Sequence, residues 1–250
     1  MTHLYTDDAE LYDIAFDWDI EEEVDWLLER LGEPTSILEP GCGSGRMLEA
    51  FARRGVEAVG IDVSAAMLEL ARRRLGGSGE VLEADMTDFD LGRRFSGAVS
   101  PINTLLHLTP EQLARHLDCL ARHLEPGARY LVQVGLADPA SYDPFAGSHW
   151  EAARGTTKLR VDWADESMDL ERGVSRQRSR IEVLEGPRAG EVVEEIHEMT
   201  AWTPETWAPA IDASPFTEVA TYDGGKKGAR PQVDQTATGG LLWHELAAPA

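Results

Sequence analysis

Eight residues constrain this chain more than any others: Glu39-Pro40-Gly41-Cys42-Gly43-Ser44-Gly45-Arg46. They lie between Ser36-Ile37-Leu38-Glu39, which reads as a strand, and Arg46 to Arg53, which reads as a helix. Glycines at alternate positions let the backbone turn sharply and leave no Cβ between main chain and ligand. The helix that follows presents free amides to a polar or anionic group. A strand, a glycine turn and a helix in that order are the opening of a parallel, helix-covered sheet.

The next hundred residues keep that rhythm. Ala58 to Asp62 reads as a second strand, Ser64 caps a helix over Ala65 to Leu75, and Gly76 ends it. Gly79 to Ala84 and Ser96 to Ser100 read as the third and fourth strands. Thr109-Pro110-Glu111-Gln112 is a capping box with Pro in the first turn. The helix it starts repeats Leu113, Leu117, Leu120 and Leu124 at spacings of four, three and four, and Tyr130 to Val134 reads as a fifth strand. Upstream, Asp8 to Leu31 is acidic and helix-like, with Trp18, Val24, Leu27, Leu28 and Leu31 as its apolar positions.

Near Asp138 the period changes from helical to alternating. Leu159, Val161 and Trp163 alternate with Lys158, Arg160 and Asp162, and turns at Glu171-Arg172-Gly173 and Glu185-Gly186-Pro187 separate strands at Ser175 to Leu184 and Glu191 to Trp202. Thr203-Pro204-Glu205 then starts a helix. Strands at Phe216 to Tyr222 and Gly240 to Leu246 follow, flanking a loop from Gly224 to Gly239. The expected division is an N-terminal helical segment (1–32), a ligand-binding core (33–137), an antiparallel β insertion acting as a cap (138–202), and the end of the core (203–250).

Formal net charge is −22, from 45 acidic and 23 basic residues. Such a surface repels phosphate backbones and anionic lipids, so neither nucleic acid nor membrane is an expected partner. It permits a neutral or cationic small molecule. No apolar run reaches the roughly 18 residues of a membrane-spanning helix. The N-terminus is polar and acidic, unlike a signal peptide, and Cys42 and Cys119 suggest neither a disulfide framework nor a metal site. A cytoplasmic location is expected.

Three features fall at the carboxyl ends of consecutive strands, the edge where open α/β sheets bind ligands. They are the glycine loop, Asp62 and Asp85-Met86. Asp62, 17 residues beyond Gly45, is placed to accept both hydroxyls of a ribose; Asp85 and Met86 are placed to bracket an adenine. With these residues the chain resembles the class I methyltransferases that use S-adenosylmethionine. The resemblance rests on E-P-G-C-G-S-G, G-I-D-V-S, A-D-M and Leu124-Glu125-Pro126-Gly127, and spans Ile37 to Val134. Glu125-Pro126-Gly127-Ala128 departs from the second glycine often found there, which touches a turn and not the chemistry.

The resemblance implies a doubly wound, Rossmann-like α/β fold with a mostly parallel seven-stranded sheet whose last strand is antiparallel. It places Glu39, Gly41, Gly43, Gly45 and Arg46 beside the methionine moiety, Asp62 on ribose, and Asp85 and Met86 on adenine. It also implies that Tyr5 and Tyr12 close over the cofactor, and that the late insertion is that of small-molecule N- and O-methyltransferases. A nicotinamide-dependent oxidoreductase would need Gly or Ala where Arg46 stands. A protein that binds S-adenosylmethionine without turnover is the other alternative.

Methyl transfer from a sulfonium is a direct displacement, so the protein must align the acceptor and exclude water. Asn103 and His107, in the loop after the fourth strand, are the catalytic candidates. His107 either deprotonates or positions the acceptor, or else packs against the next helix. Trp150, Trp163, Trp202 and Trp207 are read as local core before acceptor walls, and Arg176, Arg178 and Arg180 as pairing with Glu194, Glu195 and Glu198 on a solvated face. His197-Glu198 and His244-Glu245 lack a second His four residues on, so no metal is expected.

Overall fold

A computed structural model describes residues 3–137, 147–224, 228–233 and 240–250. The core strands are β1 (Ser36–Pro40), β2 (Glu57–Asp62), β3 (Glu80–Glu83), β4 (Phe95–Ser100) and β5 (Leu124–Leu136). A separate antiparallel sheet follows, made of β6 (Gly147–Arg154), β7 (Thr157–Asp169), β8 (Val174–Glu185) and β9 (Val192–Thr200) in sequential order. The chain then returns to the core with β10 (Thr217–Asp223), β11 (Gln232–Val233) and β12 (Gly240–Ala247).

The core sheet runs β11-β10-β12-β5-β4-β1-β2-β3. β1 to β5 pair in parallel, while β12 is antiparallel to both β5 and β10. This is the expected seven-stranded arrangement, extended at one edge by the two residues of β11. Strand order reverses between β1 and β4, and that switch opens a crevice at their carboxyl ends.

Among the described residues six α-helices flank the sheets: α1 (Ala9–Ala15), α2 (Glu21–Leu31), α3 (Arg46–Arg53), α4 (Ala65–Leu75), α5 (Pro110–Arg122) and α6 (Pro204–Asp212). Successive strand residues point to opposite faces, and the core divides accordingly. Ile37, Val99 and Leu131 pack under α2, α3 and α4, with Leu27, Leu48 and Phe51. Their neighbours Leu38, Ala98 and Val132 pack under α5 and α6, with Leu117, Leu120 and Trp207. Ser64 caps α4 by accepting from the Met67 amide at 3.2 Å, and Gly76 ends it at φ +55°. Thr109 and Gln112 form the reciprocal capping box of α5.

Three expectations need correction. The helix expected over Asp8 to Leu31 is two helices, and Trp18 lies in the connector between them. The Asp19 carboxylate accepts from the Glu21 amide at 3.0 Å, which starts α2 afresh. Gly147–Arg154 is a strand with no counterpart in the sequence reading; its residues are mostly small or polar and half exposed, so alternation leaves little trace. Leu124, read as the last turn of α5, opens β5, because α5 ends at Arg122. The expected start of the insertion, Asp138, and residues 225–227 and 234–239 of the loop from Gly224 to Gly239 lie outside the described residues.

Candidate active site

A cavity of about 1000 Å³ lies over the β1/β4 crevice, between the core sheet, the N-terminal segment and the cap sheet. Its floor is the glycine loop. Gly41 sits at φ +73°, and a Cβ there would come within 2.5 Å of Thr104 Cγ2 and 3.1 Å of Met86 Cε. Gly45, at φ +75°, lets the loop press on α4; a Cβ would stand 3.0 Å from that of Ala71. Asp62 at the tip of β2 binds the loop, its Oδ2 accepting from the Gly43 amide at 2.9 Å and its Oδ1 from the Ser64 amide at 2.8 Å. Burial raises its pKa, against the backbone hydrogen bonds from Ser64, Gly43 and Val63.

Glu39, at the end of β1, is buried, and burial pushes its pKa up to about 8. Arg46 stands at the start of α3 with its guanidinium 4.4 Å from the Trp18 ring centroid, a cation–π contact, and its Nη1 donates to the Trp18 carbonyl at 3.3 Å. Glu39 Oε2 and Arg46 Nη2 are both buried without a hydrogen-bond partner among the described residues. Glu23 on α2 adds a third buried charge site, its pKa raised by burial to about 7.

The N-terminal segment forms one wall. Tyr5 is anchored through its carbonyl, which accepts from Ser64 Oγ at 2.5 Å, and its ring meets Tyr12 edge-on at 5.1 Å. Tyr5 Oη lies 3.5 Å from His107 Nε2. His107 closes a short 3-10 turn, Thr104–His107, at the cavity wall; its side chain is solvent-accessible, and partial desolvation lowers its pKa to about 4. Ahead of that turn Ile102 and Asn103 both adopt left-handed φ, +52° and +59°. For a β-branched residue this is strained, and β5 holds it. Gln133 Oε1 accepts from the Ile102 amide at 2.8 Å, and Asn103 Oδ1 accepts from the Gly135 amide at 2.6 Å.

Residues 37–127 match the family described as a methyltransferase domain. A dTDP-3-amino-3,6-dideoxy-alpha-D-glucopyranose N,N-dimethyltransferase of Streptomyces fradiae is 30% identical over 233 residues, 88% of this chain and 87% of that relative. The chain belongs to the S-adenosylmethionine-dependent methyltransferases. A second relative, the dTDP-3-amino-3,4,6-trideoxy-alpha-D-glucopyranose N,N-dimethyltransferase of Streptomyces venezuelae, is 32% identical over 62% of this chain and 68% of its own length. The fold matches the crystal structure of DesVI from Streptomyces venezuelae with a TM-score of 0.75 at 23% identity, covering 100% and 99% of the two chains. It matches CcbJ of Streptomyces caelestis at 0.74 and 20% identity, covering 98% of each.

The methyltransferase moves a methyl group from S-adenosylmethionine to a small molecule, and its cavity fits that cofactor. Glu39 and Arg46 offer a carboxyl group and a guanidinium with one free polar atom each, which a zwitterionic amino acid moiety would satisfy. Of the residues singled out in the sequence, Glu39, Gly41, Gly43, Arg46, Asp62, Met86, Tyr12, Asn103 and His107 all line the cavity. Gly45 and Asp85 do not. Gly45 packs on α4, and Asp85 Oδ1 accepts from the amide and hydroxyl of Thr87, both at 2.8 Å. Trp150 and Trp163 face the cavity, whereas Trp202 and Trp207 are core.

Several lining residues were missed: Trp18, Glu23, Gln133, Asp165, Gln177 and Met199. Trp18 reads in the sequence only as an apolar position of the expected helix, and Phe16 beside it also lines the cavity. The charge ladder also needs correcting. Arg178 pairs with Glu194 at 3.8 Å, but Arg176 pairs with Glu166 and Arg180 with Asp162 and Glu182. Glu195 instead receives the backbone amides of His3 and Leu4, at 2.5 and 3.0 Å, tying the N-terminal segment to the cap.

Proposed function

We propose that this methyltransferase acts on the amino nitrogen of a small amino sugar or similar amine, held between Tyr5 and His107. The observation that carries the reading is the Tyr5 hydroxyl 3.5 Å from His107 Nε2 at the cavity wall, where desolvation lowers the His107 pKa to about 4. A base that weak gives little driving force for taking a proton from a hydroxyl: against a phenol of pKa about 10 full transfer is uphill by roughly 8 kcal/mol. An amine in its neutral form already has its lone pair, and needs a neutral acceptor for its N–H to be aimed in line. The amino-sugar specificities of the relatives from Streptomyces fradiae and Streptomyces venezuelae support the same choice.

The remaining roles follow from the chemistry of each side chain. Bound S-adenosylmethionine supplies the electrophilic methyl on its sulfonium. Arg46 Nη2 takes the methionine carboxylate and Glu39 its ammonium, while Tyr12 covers this end. Asp62 keeps spare lone pairs on both oxygens for ribose hydroxyls. Met86 packs on adenine. Asn103 acts by position, holding the turn that carries His107. Products of an amine and phenol panel, read by mass spectrometry, test the reading. Gains of one or two methyl groups on amines are expected, falling about 100-fold or more in His107→Asn. Methylation of phenols alone overturns it.

A further inference from the structure

Beyond Tyr5 and His107 the cavity is closed by one face of the cap sheet. Trp163 and Asp165 on β7 and Gln177 on β8 line it, with Ser175 and Ser179 on the same side of β8 by strand parity. The three lining side chains form a chain of hydrogen bonds. Trp163 Nε1 donates to Gln177 Oε1 at 2.9 Å, which turns the Gln177 amide nitrogen toward Asp165, and Ser175 Oγ donates to Asp165 Oδ1 at 3.4 Å. Trp163 is itself clamped by His197, stacked on it at 4.7 Å and 12°. Asp165 is therefore held in a fixed orientation, by neutral groups only.

Among the described residues no cation neutralises it. The arginines of β8 are committed elsewhere: Arg176 to Glu166, Arg178 to Glu194, and Arg180 to Asp162 and Glu182. Burial raises the Asp165 pKa, with only Gln177 and Ser175 acting against it. A half-buried carboxylate that faces a ligand cavity and lacks a counter-ion is costly in the empty protein. A positive charge on the ligand repairs that cost.

We propose that Asp165 determines specificity by receiving a protonated amine of the acceptor, which is a phosphate-free, positively charged amine rather than a nucleotide-linked sugar. This rests on the reading of the enzyme as an amine methyltransferase. The chain's net charge of −22 acts in the same sense, drawing cations in and repelling a diphosphate. Recognition then needs two nitrogens: a neutral one at Tyr5 and His107, and a charged one at Asp165.

Titration calorimetry on the complex with S-adenosylhomocysteine tests it, using 2-deoxystreptamine and 2,6-diamino-2,6-dideoxy-D-glucose as cationic probes and thymidine 5′-diphosphate as the anionic one. At least one amine is expected to bind, with the diphosphate silent. Asp165→Asn should weaken amine binding about tenfold or more, while Asp165→Glu, which restores the charge, recovers most of it. Unchanged S-adenosylhomocysteine affinity in both variants shows that the fold and cofactor half are intact. Binding of the diphosphate, silence of both amines, or equal amine affinity in Asp165→Asn overturns the proposal. Amine methylation confined to nucleotide-linked sugars sinks this inference alone; methylation of phenols alone sinks the amine reading as well.

Discussion

Glu39 ends a buried strand with one carboxylate oxygen unpartnered, and burial lifts its pKa to about 8. In the empty protein it is therefore mostly protonated at neutral pH. If it receives the cofactor's ammonium it must ionise on binding, so a proton leaves as the cofactor enters. The sign follows: affinity for S-adenosylhomocysteine should rise with pH below about 8, by up to about tenfold per pH unit, and level off above. Calorimetry in buffers of different ionisation enthalpy would show the released proton. Glu39→Gln should bind more weakly and lose the slope. A pH-independent affinity in the wild type would remove Glu39 from the ammonium site. The residue's position was legible from its motif; its missing partner was not, because what surrounds Glu39 comes from Arg46, Asp62 and distant α2.

At the scale of elements, α1 acts as a latch. Asp13, buried on α1, bonds Arg74 of α4 at 2.7 Å and Arg154 of β6 at 2.5 Å, so one carboxylate joins N-terminus, core and cap. Burial raises its pKa, but hydrogen bonds from Arg154 and Ser44 and the charge of Arg74 outweigh this and leave it lowered. Its stabilisation is thus full above the unfolded value near 3.8 and is lost as pH falls through the depressed folded value. Asp13→Ala should cost about 2 kcal/mol at pH 7, less than a fully buried pair because Asp17 still reaches both arginines. The melting-temperature gap between variant and wild type should narrow below about pH 4, and α1 amides should exchange faster in the variant. An unaltered exchange rate there would show that α1 is held by its apolar face alone. Much of the core fold could be read from the chain because strand and helix periods, Ser64, Gly76 and the Thr109 box are local signals. β6 could not, since Gly147–Arg154 has little apolar alternation. Nor could the pairing of Tyr5 with His107, 102 residues apart, or the orientation of Asp165, which neighbouring strands decide.

Across the whole molecule, the cavity is a place where all three parts meet. Leu4, Leu11 and Ile14 pack on Leu159, Val161 and Ile181 of the cap, and Met199 and Trp163 carry the cap onto the core cluster. A ligand filling that space touches the N-terminal segment, the glycine loop and β7 together, so its binding energy is shared by parts that would otherwise separate more readily. S-adenosylhomocysteine at about 100 times its Kd should add roughly 2.7 kcal/mol to the native state. For a chain of this size that is a rise of roughly 5 to 11 °C in Tm. Two probes follow the transition: tryptophan fluorescence reports on Trp18, Trp150 and Trp163 at the cavity, together with Trp26, Trp202, Trp207 and Trp243 in the core, and far-ultraviolet dichroism on the backbone. If the cavity couples the parts, both midpoints coincide in the complex and move up together. A fluorescence transition that shifts while the backbone transition stays behind would mean that the parts melt separately, and that the cofactor stabilises only the layer it touches.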